Sequence, residues 1–243
     1  MQSSKSLATV VTGTAGKEKS IVLTFDGRGS QLVMDKILEL LQKHQVKAAF
    51  FIEGMHAAED PQMILKIKDA GFAVENYSLH GWSQMETFTA DKLIFDFCQS
   101  KKIFQLAVLT DSKILKCNET NYTDHLRQAA QACGFQQIVK SDVVVTSQTI
   151  KALSSAQAAS DYVNRIKPGS IVSVKIKTKR EPQTDAKMLP QPVDKAENDL
   201  VLAVENLLVA IKKSGLVVVT PSELAEKNRI KDPLTTIYLN KSF

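Results

Sequence analysis

The stretch IVLTFDGRGSQLVMDKILELLQKHQVKAAFFIEG, from Ile21 to Gly54, decides the fold. It opens on a short apolar, β-branched run, Ile21-Val22-Leu23-Thr24-Phe25, and closes on a second, Ala48-Ala49-Phe50-Phe51-Ile52. Between them Val33, Ile37, Leu40 and Leu41 fall at the i, i+4, i+7, i+8 spacing of one buried helical face. Two largely apolar strands joined by an amphipathic helix are a parallel crossover unit, in which helices cover the sheet.

The same rhythm continues outward, with seven strand-like runs in all. Asp60-Pro61 opens a helix as cap residue and first-turn proline, and Gly71 ends it before a third strand, Phe72-Ala73-Val74. A helix from about Ala90 past Phe97 leads to a fourth strand, Phe104 to Leu109. A helix over Tyr122 to Cys133, closed by Gly134, precedes a fifth strand near Ile138 or at Val143 to Val145. Ser170 to Val174 makes the sixth, and Leu216 to Val219 the seventh, after a helix carrying Leu200, Val204, Leu207 and Leu208. Seven strands with intervening helices predict a distorted, incomplete parallel (β/α)7 barrel, and an open doubly wound sheet has the same pattern. In either architecture the loops at the carboxyl ends of the strands host the chemistry.

With 243 residues and 44% hydrophobic content the chain is long enough for one barrel domain. The expected division is a flexible segment over 1–18, the barrel over 19–230 and a tail over 231–243, with a solvated loop from Lys177 to Glu197. No run of 18 apolar residues suggests a membrane span, and the start MQSSKSLATVV lacks the pattern of a secretory signal. The net charge of +5 suits anionic surfaces, but the lysines are scattered. The basic run Lys175 to Arg180 lacks interleaved aromatics, so no nucleic-acid partner is expected. Cys98, Cys117 and Cys133 are odd in number with no CxxC spacing, and read as small buried residues rather than as a disulfide framework or thiolate metal site.

Four ordered segments resemble the polysaccharide deacetylases of carbohydrate esterase family 4, the NodB homology domain. They are the opening TFDGRG with its helix and AAFF strand, GFAVEN, KPGSIVSVKI, and SGLVVVTPSEL. The resemblance implies a hydrolase of carbon–nitrogen bonds in N-acetylated polysaccharide. One aspartate is its general base, a second aspartate and two histidines hold a divalent metal, and a late histidine is the general acid. Such a metal brings the pKa of its water from about 15.7 to about 7, so the nucleophile depends on it.

This sequence departs from that list at nearly every point. Asp26 matches the base, but Gly27 stands at the metal-binding aspartate. Tyr77 stands at the first histidine and Gly81 at the second, with His80 one residue short. Leu106 to Ser112, with Asp111 as a candidate binding residue, replaces the arginine- and proline-rich motif, and Lys175 and Ile176 replace the late histidine and its neighbour. The expectation is therefore a deacetylase-like domain of carbohydrate or cell-wall metabolism, a pseudoenzyme that binds a glycan or partner without a cofactor. Family resemblance places it outside the cell or in the envelope. The alternative is an active hydrolase with a rebuilt zinc or similar site from Asp26, Glu53, His56 and His80.

Each candidate also has a plainer role. Asp26 is a surviving base or a carboxylate paired with Arg28 or Lys175, because an unpaired buried carboxylate is costly. Lys175 is a depressed-pKa base or that partner cation. His80 is a displaced ligand or an ordinary polar residue. Trp82 stacks on a sugar ring or caps the barrel mouth.

Overall fold

The structure, a computed structural model, describes residues 7–13, 19–107, 111–176 and 195–230. The chain begins with β1 (Thr9–Val11), β2 (Ser20–Asp26), α1 (Gln31–His44), β3 (Ala49–Ile52), α2 (Gly54–Glu59), α3 (Pro61–Asp69) and β4 (Ala73–Asn76). It continues with α4 (Ala90–Ala107), β5 (Ile114–Leu115), α5 (Asp124–Ala132), β6 (Gln137–Val139) and β7 (Val143–Val145). The last elements are α6 (Ser147–Ala152), α7 (Ala156–Val163), β8 (Ile171–Lys175), α8 (Lys195–Ser214), β9 (Val217–Val219) and α9 (Pro221–Ile230).

Among the described residues nine strands form one parallel sheet in the order β1-β6-β5-β4-β3-β2-β8-β7, with β9 also on β2. The sheet curls into an open, incomplete barrel surrounded by helices, as expected. Strand β2 is its axis. All seven of its residues are buried, and it pairs with β3 over Thr24–Asp26, β8 over Val22–Asp26 and β9 over Ser20–Val22.

Side chains alternate across each strand, so the sheet has two apolar faces. Val11, Val22, Ala49, Phe51, Ile114, Val139, Ile171 and Val219 pack together inside the barrel. The opposite residues, Leu23, Phe25, Phe50, Ile52 and Val172 among them, meet the helical layer of Val33, Ile37 and Leu41 on α1 and Val204, Leu207 and Leu208 on α8. The stripe read from the sequence on α1 is thus the buried one. Ser30 caps this helix by accepting from Val33 N, and Asp60 caps α3 by accepting from Met63 N at 3.1 Å.

Four expectations change. Phe104 to Ala107 belong to α4, not to a fourth strand, because Leu93, Phe97 and Phe104 continue one helical stripe buried against the sheet; residues 108–110 lie outside the described residues. The strand after α4 is the two-residue β5. Thr9–Val11, inside the segment expected to be flexible, is a sheet strand, with Thr9 N donating to Gln136 O at 2.9 Å. Cys98 and Cys133 form a disulfide, their Cα atoms 4.9 Å apart, which joins α4 to the end of α5; Cys117 is free and buried. Of the basic run, only Lys175 and Ile176 are described; the 231–243 tail and most of the 177–197 loop also lie outside the described residues.

Candidate functional site

Asp26 is the last residue of β2 and its side chain is wholly buried at the carboxyl end of the barrel. Parallel pairing sets Lys175, the last residue of β8, directly beside it. Lys116, just beyond β5, reaches across the interior from the far side.

The carboxylate is fully engaged. Lys116 Nζ donates to Asp26 Oδ1 at 2.7 Å, and to Thr24 Oγ1 at 2.9 Å. Thr24 Oγ1 in turn donates to Asp26 Oδ1 at 3.2 Å, and Ser173 Oγ donates to Oδ2 at 2.5 Å. Lys175 Nζ stands 3.7 Å from Oδ2 and makes its short contacts elsewhere, at 2.5 Å to Tyr77 Oη and 2.5 Å to Asn118 Oδ1. Tyr77 Oη donates to Asn118 Oδ1 at 3.1 Å, and Asn118 Nδ2 donates to Gly81 O at 3.3 Å. Every polar side chain of this interior layer is held by another, as burial in a low-dielectric interior requires.

Burial opposes charge on several of these groups. It pulls the Lys116 ammonium below the ordinary lysine range, an effect that the Asp26 carboxylate opposes. It pushes the Tyr77 phenol far above the ordinary tyrosine range, with the charges of Asp26 and Glu53 adding to the effect, so Tyr77 stays protonated.

The loop bearing Tyr77 and Gly81 is set by α4. Asp96 Oδ1 accepts from Leu79 N at 2.8 Å, and Ser100 Oγ donates to Asn76 Oδ1 and Ser78 O, each at 2.9 Å. At the rim, Glu53 Oε2 lies 2.9 Å from His56 Nδ1, while His80 and Trp82 are exposed and their rings pack at 5.6 Å.

A model of the polysaccharide deacetylase family matches residues 13–138, more than half of the chain. The chain belongs to the polysaccharide deacetylase family. It is 25% identical over 156 residues to the peptidoglycan-N-acetylmuramic acid deacetylase PdaA of Bacillus subtilis, a match covering 64% of this chain and 59% of that protein. It is 23% identical over 209 residues to a peptidoglycan-N-acetylglucosamine deacetylase of Bacillus cereus, covering 85% of this chain and 88% of that one. In structure it is similar to a family 4 pseudoenzyme from Bacillus anthracis, with TM-score 0.71 and 19% identity, covering 89% of this chain and 68% of the other. The fold also matches the PdaA structure, with TM-score 0.69 and 21% identity over 90% of this chain and 86% of the other.

The fold brings Asp26, Tyr77 and Lys175 together and adds Lys116, Ser173 and Asn118, which the sequence reading did not include. The strand end expected at Leu106 to Ser112 is filled by Lys116-Cys117-Asn118 instead. Asp111 is not part of the site. It lies before β5, at the amino end of the strands, and pairs with Lys101 at 3.1 Å and with Lys113. Arg28 does not pair with Asp26 either; its guanidinium turns outward to Asp60 at 2.9 Å and Glu59 at 3.6 Å, at the junction of α2 and α3.

The family's divalent metal does not fit these residues. An ammonium 2.7 Å from Asp26 occupies the best acceptor and repels a second cation. A Cβ on Gly27 would lie 2.6 Å from Ile176 O, so the backbone has closed over the position from which the second aspartate would reach. Nor are Asp26, Glu53, His56 and His80 assembled as a rebuilt set: among the described residues no three histidine, cysteine or acidic side chains have ligand geometry.

Proposed function

We propose that this protein is a catalytically silent polysaccharide deacetylase homologue that binds cell-wall glycan at the carboxyl end of its barrel. The observation that carries this reading is the Lys116–Asp26 contact. A general base must accept a proton from water, and here both carboxylate oxygens already accept hydrogen bonds from Lys116, Thr24 and Ser173. Among the described residues no three histidine, cysteine or acidic side chains are grouped to hold a metal that would lower the pKa of that water.

The relatives named for peptidoglycan support a cell-wall role. The matched region is about three fifths of the PdaA relative's length, so the reading concerns the barrel. An extracellular or envelope location is favoured by the Cys98–Cys133 disulfide, since such bonds persist in oxidising compartments.

The deciding experiment combines metal analysis with deacetylation assays on N-acetylglucosamine oligomers and on peptidoglycan fragments. The expected result is substoichiometric metal and no acetate release, with glycan binding retained. Stoichiometric zinc and turnover that disappears in Asp26→Asn would establish the active hydrolase instead.

A further inference from the structure

The lysine at the end of β8 has a hydrogen-bonding capacity that the site itself does not fill. Asp26 and Lys116 form a closed neutral pair at 2.7 Å, and Ser173 takes the remaining carboxylate oxygen at 2.5 Å. Lys175 is thereby left with no carboxylate within hydrogen-bonding distance among the described residues, the second carboxylate of the site, Glu53, lying 2.9 Å from His56 Nδ1. Its two short contacts are to neutral oxygens, Tyr77 Oη and Asn118 Oδ1, and the nearest carboxylate oxygen among the described residues is Asp26 Oδ2 at 3.7 Å.

An ammonium has three protons to donate. Two are used by Tyr77 and Asn118, and the third has no acceptor within hydrogen-bonding distance among the described residues. Tyr77 cannot compensate by ionising, because burial and the neighbouring carboxylates keep its phenol protonated. The Lys175 side chain is 16% exposed, against 4% for Lys116, so it is the cation a ligand can touch.

We propose that Lys175 makes the barrel mouth a site for an anionic group carried on a glycan, so that a pocket built in its family around a divalent cation here recognises negative charge. This rests on the glycan-binding reading above and names the class of glycan. The anion completes the lysine's third hydrogen bond with a charge-assisted contact, an interaction roughly twice as strong as one between neutral partners. A sugar carboxylate, as on the lactyl group of muramic acid, and the phosphodiester of a wall polymer share this chemistry.

Trp82, the only tryptophan in the chain, provides the readout. Its neighbour Gly81 is tied through Asn118 to Lys175, so loading Lys175 perturbs the peptide that carries the indole. The test titrates the protein, following Trp82 fluorescence and calorimetry, with three probes. They are a disaccharide of N-acetylglucosamine and N-acetylmuramic acid, neutral di-N-acetylchitobiose, and a glycerol phosphate oligomer.

The expected result is that one of the two anionic probes binds at least about tenfold tighter than the neutral one, weakening with salt. Which of them binds identifies carboxylate or phosphate as the source. Lys175→Met should abolish the preference, and Lys175→Arg should retain it, provided both variants melt cooperatively. Equal binding of neutral and anionic probes, or a preference that survives in Lys175→Met, would overturn the proposal while leaving glycan binding intact. Binding of no probe would overturn both.

Discussion

Lys116 Nζ and Asp26 Oδ1 lie 2.7 Å apart inside the barrel, each side chain no more than 4% exposed. A pair of this kind contributes little over a well-packed apolar pair, but removing one partner strands the other charge out of water. Lys116→Met is therefore expected to destabilise the fold by about 3–5 kcal/mol, and Asp26→Asn combined with Lys116→Met by less than the sum of the two single changes. Urea denaturation of the four proteins measures both quantities. A purely additive cycle would show that the two groups do not sense each other.

An aspartate at position 27 should not by itself give deacetylase chemistry. Gly27 has φ +87°, and a Cβ there meets the carbonyl oxygen of Ile176 at 2.6 Å. Gly27→Asp is expected to cost about 1–3 kcal/mol from backbone strain, plus the displacement of Ile176. The same change combined with Tyr77→His and Gly81→His should still fail to release acetate from chitooligosaccharides while Lys116 holds Asp26. Activity in that triple variant would mean that the loop and β8 rearrange freely.

Glu75 on β4 gives the protein a pH-dependent stability. Burial pushes its carboxyl up to about 7 from 4.5, against the opposing hydrogen bond from Ser112 and the charge of Lys101. An acid whose folded pKa is raised binds its proton more tightly when folded. Its contribution is therefore fully present below about 4.5 and is lost as pH rises to about 7. Over that window the wild type should lose up to about 3 kcal/mol relative to Glu75→Gln. Parallel melting curves at pH 4.5, 6 and 8 check the sign.

The Cys98–Cys133 bridge closes a separation of 35 residues and fixes α4 against α5. Its loss in Cys98→Ser is expected to lower stability by about 2–4 kcal/mol. Because α4 also holds the site loop through Asp96 and Ser100, the emission of Trp82 should shift in the reduced protein. Thiol titration should find one cysteine, Cys117, and only after denaturation. Three reactive thiols in the non-reduced protein would refute the bridge.

Much of the frame was readable because its signals are local. The α1 stripe, the Asp60-Pro61 helix start and the largely apolar β2 run each reflect burial of neighbouring positions on one element. The fourth strand was misplaced because a short apolar run such as Phe104 to Ala107 looks alike as strand or as the end of a buried helix, and only packing against the sheet separates the two. The true strand, Ile114–Leu115, is too short to show a period. It consequently hid Lys116, whose only signal was a charged residue directly after an apolar pair. The disulfide was missed for a related reason: a spacing of 35 residues carries no motif.

By itself the sequence determined the family and the parallel barrel, and it put Gly27, Tyr77 and Gly81 where the family resemblance implies metal ligands, since residue type alone decides which groups can ligate. The tertiary structure decided what surrounds Asp26. Which cation meets Asp26 depends on strand register and on reach across the barrel. Lys175 lies beside it on the neighbouring strand yet stands 3.7 Å away, while Lys116, 90 residues distant in sequence, makes the 2.7 Å contact. Charge pairing in a buried site is set by distances through space, and those exist only once the sheet has closed around them.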